Sequence, residues 1–182
     1  MLPEMKEKTI SSKMVFDGKL LKVEVQEVEL AGGIRSIREI VRHPGAIAVL
    51  SQLPDGRYVF VSQYRKPIEK DLLEVVAGTL EPGEDPEECA KRELIEETGY
   101  TCDSIRKLSV LHLAPGYSTE EIHLYYALLK PEQAEACPDD DEKLDVVYLS
   151  AKEVESMISG GEIEDAKTLA AWLLHKVPNG RD

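Results

Sequence analysis

Cysteine is scarce: Cys89, Cys102 and Cys137 are the only three in 182 residues. No two of them have the CxxC spacing of a redox or zinc pair. An odd number without framework spacing excludes a disulfide-stapled scaffold and points to reduced thiols in a cytosol. Basic residues are also short, with 22 Lys plus Arg against 35 Asp plus Glu, a formal net charge of −13. Affinity for DNA or RNA comes from Lys and Arg neutralising phosphates, so a general nucleic-acid binder is excluded. A small phosphorylated ligand stays open if cations screen the acids locally. No apolar run reaches membrane-spanning length. Residues Met1 to Ser12 lack the apolar core of a signal peptide, so the expectation is a cytoplasmic protein with no membrane partner. There is no internal repeat and no low-complexity segment.

What is present reads as one good-sized domain with a small appendage. The first third has the alternation of half-buried strands. Lys13 to Phe16 predicts a short strand, Asp17-Gly18 a turn, and Leu21, Val23 and Val25 a second strand. The phase shifts at Glu27, which predicts a bulge there. Gly32-Gly33 turns the chain into a strand over Ile34 to Val41, and His43-Pro44-Gly45 marks a boundary. Further strands are predicted at Ala46 to Leu50, Tyr58 to Tyr64, Leu72 to Val76, Ile105 to Leu113, Ile122 to Leu129 and Val146 to Leu149.

Three helices are expected. Over Pro86 to Thr98, Asp85 is the N-cap, Pro86 takes the first position, Glu88 completes a capping box and Gly99 ends the helix. Ser150 and Glu153 open a short helix that stops near Gly160-Gly161. The last runs from Ile163 to His175 with Leu169, Trp172 and Leu173 on one apolar stripe. The order of elements makes the fold class α+β, with a small N-terminal β subdomain over residues 1–43 and an α/β sandwich over 44–182.

The chemistry concentrates in residues 78 to 100, GTLEPGEDPEECAKRELIEETGY. Glu93, Glu96 and Glu97 are spaced i, i+3 and i+4, so they share one helix face. Three carboxylates there repel one another unless a cation compensates them, and Mg²⁺ or Mn²⁺ favours such oxygen ligands. Arg92 can pair with Glu96 or brace the Gly78 to Gly83 loop against the helix, while Ala90 and Leu94 point to the core. The bland alternative is a solvated charged helix held by ordinary ion pairs.

Gly78, Glu84, Arg92, Glu93, Glu96, Glu97 and Gly99, with Leu94 and Tyr100 at apolar positions, match the box G-x5-E-x7-R-E-U-x-E-E-x-G-U at every fixed point. Such a match arises by chance on the order of once per 10⁹ starting points. The chain therefore resembles the Nudix hydrolases. The likeness runs from about Phe16 to Trp172 and is strongest to ADP-ribose pyrophosphatases, through Ala114-Pro115-Gly116-Tyr117-Ser118-Thr119-Glu120, Gln63-Tyr64-Arg65, Arg38-Glu39 and Asp165-Ala166-Lys167-Thr168-Leu169.

The resemblance implies α/β/α layers with a mixed sheet. It also implies metal-dependent hydrolysis of a nucleoside diphosphate sugar, first ADP-ribose to AMP and ribose 5-phosphate, with GDP-mannose as the alternative substrate. A non-catalytic nucleotide-binding module is the other class, and it would be expected to have lost box glutamates. The implied ligands of Mg²⁺ (or Mn²⁺) are Glu93, Glu97 and the carbonyl of Ala77, with Glu96 bridging or orienting water. Arg65 is implied at phosphate or the terminal ribose, and Arg38, Glu39, Pro115, Gly116 and Glu120 at substrate. The catalytic base is implied in the acidic loop before the last strand, at Glu142, with Asp140 second and Glu96 as the fallback. Phe16 and Tyr64 are candidates to stack on adenine, each with a core position as its alternative. A homodimer is implied, with the N-terminal β segment in the contact and Arg38, Glu39 and Glu120 acting across it.

Overall fold

In the central strand of the larger sheet, successive side chains enter opposite cores. The computed structural model describes residues 6–134, 136–137 and 143–177. By its contacts the chain divides into two compact units, Met1–Gly45 with His112–Glu121, and Ala46–Leu111 with Ile122–Asp182.

The first unit is an antiparallel meander of β1 (Lys8–Asp17), β2 (Lys22–Glu29) and β3 (Arg35–Arg42), in that order. The turns are made by Gly18, whose N–H donates to Leu21 O, and by Gly32 and Gly33 at φ 85° and 79°. Strand β1 is ten residues long, not four, because its polar start pairs with β2 out to Lys8 opposite Glu29. The bulge expected in β2 at Glu27 is displaced onto the partner. Strand β2 runs in register with β3 throughout, and β1 carries the extra residues, Ile10 opposite the Glu27–Val28 step and Val15 further on. Segment 112–121 joins this unit through Val41, whose N–H donates to Tyr117 O (2.7 Å) and whose carbonyl accepts from Thr119 N (2.9 Å).

The second unit holds β4 (Ala46–Gln52), β5 (Tyr58–Arg65), β6 (Lys70–Glu74), β7 (Val76–Thr79), α1 (Pro86–Thr98), β8 (Tyr100–His112), β9 (Glu121–Gln133), β10 (Leu144–Leu149), α2 (Ala151–Gly160) and α3 (Ala166–Lys176). The sheet order is β10-β5-β4-β9-β8, with β6 on β5 and β7 on β4. Strand β4 is parallel to β9 and antiparallel to β5 and β7, so the sheet is mixed.

Ile47 and Val49 of β4 pack with Cys89, Ala90 and Leu94 of α1, while Ala48 and Leu50 pack with Val154, Ala171 and Trp172 of α2 and α3. This is the period of two expected of a strand buried on both faces. Leu94 is fully buried, which contributes about 1.5–3 kcal/mol. The architecture is an α+β sandwich with helices on both faces of the sheet.

Two further expectations change. The run Leu72 to Val76 is two strands, because the chain leaves β5 after Glu74 and joins β4 at Val76. Between them, the Val75 N–H donates to Thr168 Oγ1 at 2.9 Å. Helix α3 starts at Ala166, later than Ile163, because Asp165 caps it. Its buried residues are Lys167, Thr168, Ala171 and Trp172, and Leu173 is exposed. Hydrophobic periodicity missed this because two of the buried residues are polar and bonded to the β6–β7 junction.

Candidate active site

Helix α1 is fixed at both ends. Asp85 Oδ1 accepts from the N–H groups of Glu87 (2.9 Å) and Glu88 (3.3 Å), and Pro86 occupies the first turn. Glu88 turns its own carboxylate to Lys91 at 2.8 Å. Gly99 closes the helix at φ 73°, donating to Ile95 O at 2.8 Å. The chain returns to this end after β9, where Cys137 N donates to Glu96 O at 2.9 Å and Ala134 N to Gly99 O at 2.9 Å.

One face of α1 carries the acids. Glu93 is 9% exposed and Glu97 4%, while the Glu96 side chain is 40% exposed. Buried carboxylates need compensation. Arg92 provides part of it: Nη1 donates to Glu93 Oε1 (2.7 Å) and Glu96 Oε2 (2.8 Å). Nε and Nη2 reach back to Glu84 at 2.9 and 3.1 Å, so both alternatives for Arg92, helix partner and loop brace, hold together. Glu84 also accepts the Glu81 N–H at 3.0 Å. The Arg92 bonds, helped by this one, hold the Glu84 carboxyl down at about 2. Burial pushes the neighbouring Cys89 thiol up to about 12, so it is an inert packing group.

Gly78 lies in β7, where its φ does not require glycine. Its reason is space: a Cβ there would fall on the Glu93 carboxyl. The acid therefore rests directly against the strand that carries Ala77. Among the described residues no three acid, His or Cys side chains stand round one point, and Arg92 holds Glu93 and Glu96. The donor chemistry nevertheless fits a hard divalent cation: two buried carboxylates one turn apart, a third at the rim and a strand carbonyl beside a glycine, all oxygen.

Arg65 at the end of β5 donates through Nε and Nη2 to the two oxygens of Glu74, at 2.7 and 2.8 Å. Its charge is stabilised first by Glu74 and further by Glu97, which places it in the field of the box helix. The other substrate candidates lie in the first unit. Arg38 donates to Glu7 at 2.9 and 2.6 Å. Glu39 is exposed and stands opposite Val25 in register. Pro115 and Gly116 sit in a turn closed by Tyr117 N and Ser118 N on Ala114 O. Gly116 has neither a positive φ nor any neighbour a Cβ would meet. Glu120 faces His43 Nε2 at 3.9 Å, and His43 N donates to Thr119 Oγ1 at 3.1 Å. Glu142 and Asp140 lie outside the described residues. Phe16 and Tyr64 are 58% and 51% exposed, which removes the core alternative for both. Sequence reading passed over Glu74, an acid inside the apolar run Leu72-Leu73-Glu74-Val75-Val76, which was itself a signal of a buried partnered charge.

The NUDIX domain family model matches residues 41–172. The chain is 47% identical to the "Methanol dehydrogenase activator" of Bacillus methanolicus, over 91% of this chain and 90% of that one. It is 39% identical to the "ADP-ribose pyrophosphatase" of Bacillus subtilis (strain 168), over 93% and 92%, and 37% identical to a "GDP-mannose pyrophosphatase" of Yersinia enterocolitica, over 75% of each. The crystal structure of an ADP compounds hydrolase superposes with a TM-score of 0.80 at 26% identity, covering 93% of this chain and 92% of that one. The chain belongs to the Nudix family, and it is a hydrolase.

Proposed function

We propose that the protein hydrolyses ADP-ribose to AMP and ribose 5-phosphate with the help of Mg²⁺ or Mn²⁺. The observation that carries this is the buried pair Glu93 and Glu97 on the capped helix α1, packed against a glycine that leaves room for one of them. The Bacillus subtilis relative, alike over nearly the whole chain, supports the substrate.

Glu93, Glu97 and the Ala77 carbonyl would hold the ion, with Glu96 at its exposed edge. Such an ion supplies charge neutralisation at the diphosphate and a water of lowered pKa. The chain's own groups do the rest. Arg65 presents a guanidinium to the anion, and Arg92 fixes the loop that ends at Glu84. Arg38, Glu39, Pro115, Gly116 and Glu120 contact the substrate. A carboxylate takes the proton as the water oxygen bonds to phosphorus and the bond from phosphorus to the bridging oxygen breaks. Glu142 is assigned that role, with Asp140 second and Glu96 the fallback.

The working form is proposed as a homodimer. Strand β1 is a sheet edge exposed along all ten residues, with Ile10, Met14, Val15 and Phe16 among them, as expected of a surface that a second copy covers. Light scattering is expected to give twice the chain mass, and a monomer would remove the cross-subunit roles. A reducing cytoplasm suits the three free cysteines, and among the described residues no helix is long and apolar enough to cross a membrane.

The test is a panel of nucleoside diphosphate sugars with Mg²⁺ or Mn²⁺, scored for released monophosphate. ADP-ribose should lead, and a clear preference for GDP-mannose would move the substrate within the same class, as the Yersinia enterocolitica relative suggests. A second reading, in which the hydrolase controls a dehydrogenase, is favoured by the 47% identity to the methanol dehydrogenase activator. It predicts that adding the chain raises methanol dehydrogenase turnover.

A further inference from the structure

Behind Arg65 lies a buried chain of charges that the reaction itself does not use. Glu74, at the end of β6, is 1% exposed. It accepts both Arg65 bonds and a third from Lys167 Nζ. Lys167, whose side chain is 11% exposed, also donates to Asp165 Oδ1 at 3.0 Å. Asp165 in turn caps α3, accepting from Thr168 N at 2.9 Å and Thr168 Oγ1 at 2.6 Å. Thr168 Oγ1 accepts the Val75 N–H, so the network ends in the backbone three residues before Gly78. Burial opposes the charge on Glu74, but Arg65 and Lys167 overcome it and keep the carboxyl below its usual range.

Of the four charged groups, Arg65 is the outermost, its side chain 39% exposed. A guanidinium is planar and rigid, so engaging Nε and Nη2 on one carboxylate turns Nη1 to the opposite edge. Glu74 is also held by Lys167, which fixes the carboxylate that orients Arg65.

We propose that Glu74 and Lys167 are positioning residues that hold Arg65 as a rigid guanidinium arm for a diphosphate. This rests on the role given to Arg65 above. The design differs from a surface arginine, which would lose side-chain freedom when it binds an anion. It also ties the arm to the strand that leads into the box, through Val75.

The experiment measures binding of inorganic pyrophosphate with Mg²⁺ by calorimetry in a mutant cycle on the full chain, with the melting point of each variant. Arg65→Met should weaken binding about tenfold, in line with loss of one charge-assisted hydrogen bond. Glu74→Gln, which keeps one acceptor, should cost nearly as much. Glu74→Gln added to Arg65→Met should cost nothing further, since the first residue acts through the second. Lys167→Met should weaken binding severalfold and Lys167→Arg should restore it. That pair decides the matter if Glu74→Gln does not fold. A merely structural network would lower melting points and weaken binding equally with and without Arg65, and that result would overturn the proposal. So would wild-type affinity in both Glu74→Gln and Lys167→Met, or a wild type that does not bind pyrophosphate. A wild type that shows the coupled losses but cleaves no nucleoside diphosphate sugar supports this proposal and defeats the substrate reading alone.

Discussion

A methyl group at position 78 would occupy the place of the Glu93 carboxyl. Gly78→Ala should therefore leave the sandwich folded and push Glu93 off its position, lowering kcat/KM by about 100-fold, the scale of a 1 Å misplacement. Steady-state kinetics beside a circular dichroism melt would separate that from unfolding. Glu142→Gln should lower kcat while KM changes little, because a proton acceptor acts in the transition state and not in binding. A full-speed variant would move the base to Asp140 or Glu96. Spacing alone made Glu93, Glu96 and Glu97 legible, since a helix puts i, i+3 and i+4 on one face. Spacing offered Arg92 either Glu96 or the loop as its partner, but did not reveal that it holds both and Glu93 as well, nor which of the acids are buried. Those depend on where α1 meets β7.

Helix α1 matched its expected bounds because the signals at both ends are local. Asp85, Pro86 and Gly99 each act on their own turn. Asp85→Ala should cost about 1 kcal/mol in urea unfolding, with a larger proportional loss of turnover, because fraying starts beside the helix that carries the acids. Equal stability would show that Pro86 holds the start unaided. Elements set by tertiary pairing were less legible. The break between β6 and β7 comes from a change of partner strand, and the late start of α3 comes from Asp165 and the polar contacts of Lys167 and Thr168. The bulge is a similar case: the phase shift in β2 was visible, but the extra residue belongs to β1, and a single strand's pattern does not say which of two partners carries it.

At the scale of the molecule, a cluster of rings in the second unit links folding to pH. His175 stacks on Tyr126 with centroids 4.2 Å apart and shares a hydrogen bond with Tyr58 OH at 3.0 Å. Burial first, then the charges of Arg106 and Lys176, hold its pKa below the ordinary value of 6.5. The native state thus prefers the neutral ring, and unfolding releases it to take up a proton. The sign follows: this contribution is fully present above pH 6.5 and is lost as pH falls through the folded pKa. The melting point should fall from pH 7 to pH 5.5, and His175→Phe, which keeps the stacking, should flatten that fall. An unchanged slope would place the titrating group elsewhere.

The central claim is that the acids of α1 gather a divalent ion to split a diphosphate. Its most direct test is AMP release from ADP-ribose, followed by chromatography for the wild type with Mg²⁺, with chelator, and with chelator then excess Mg²⁺, beside Glu97→Gln at saturating Mg²⁺. The expected result is AMP formation that stops with chelator and returns with metal, and a Glu97→Gln rate lower by at least about a hundredfold, as loss of several kcal/mol of transition-state stabilisation requires. AMP release that ignores the chelator, or a Glu97→Gln variant as fast as the wild type, would contradict it.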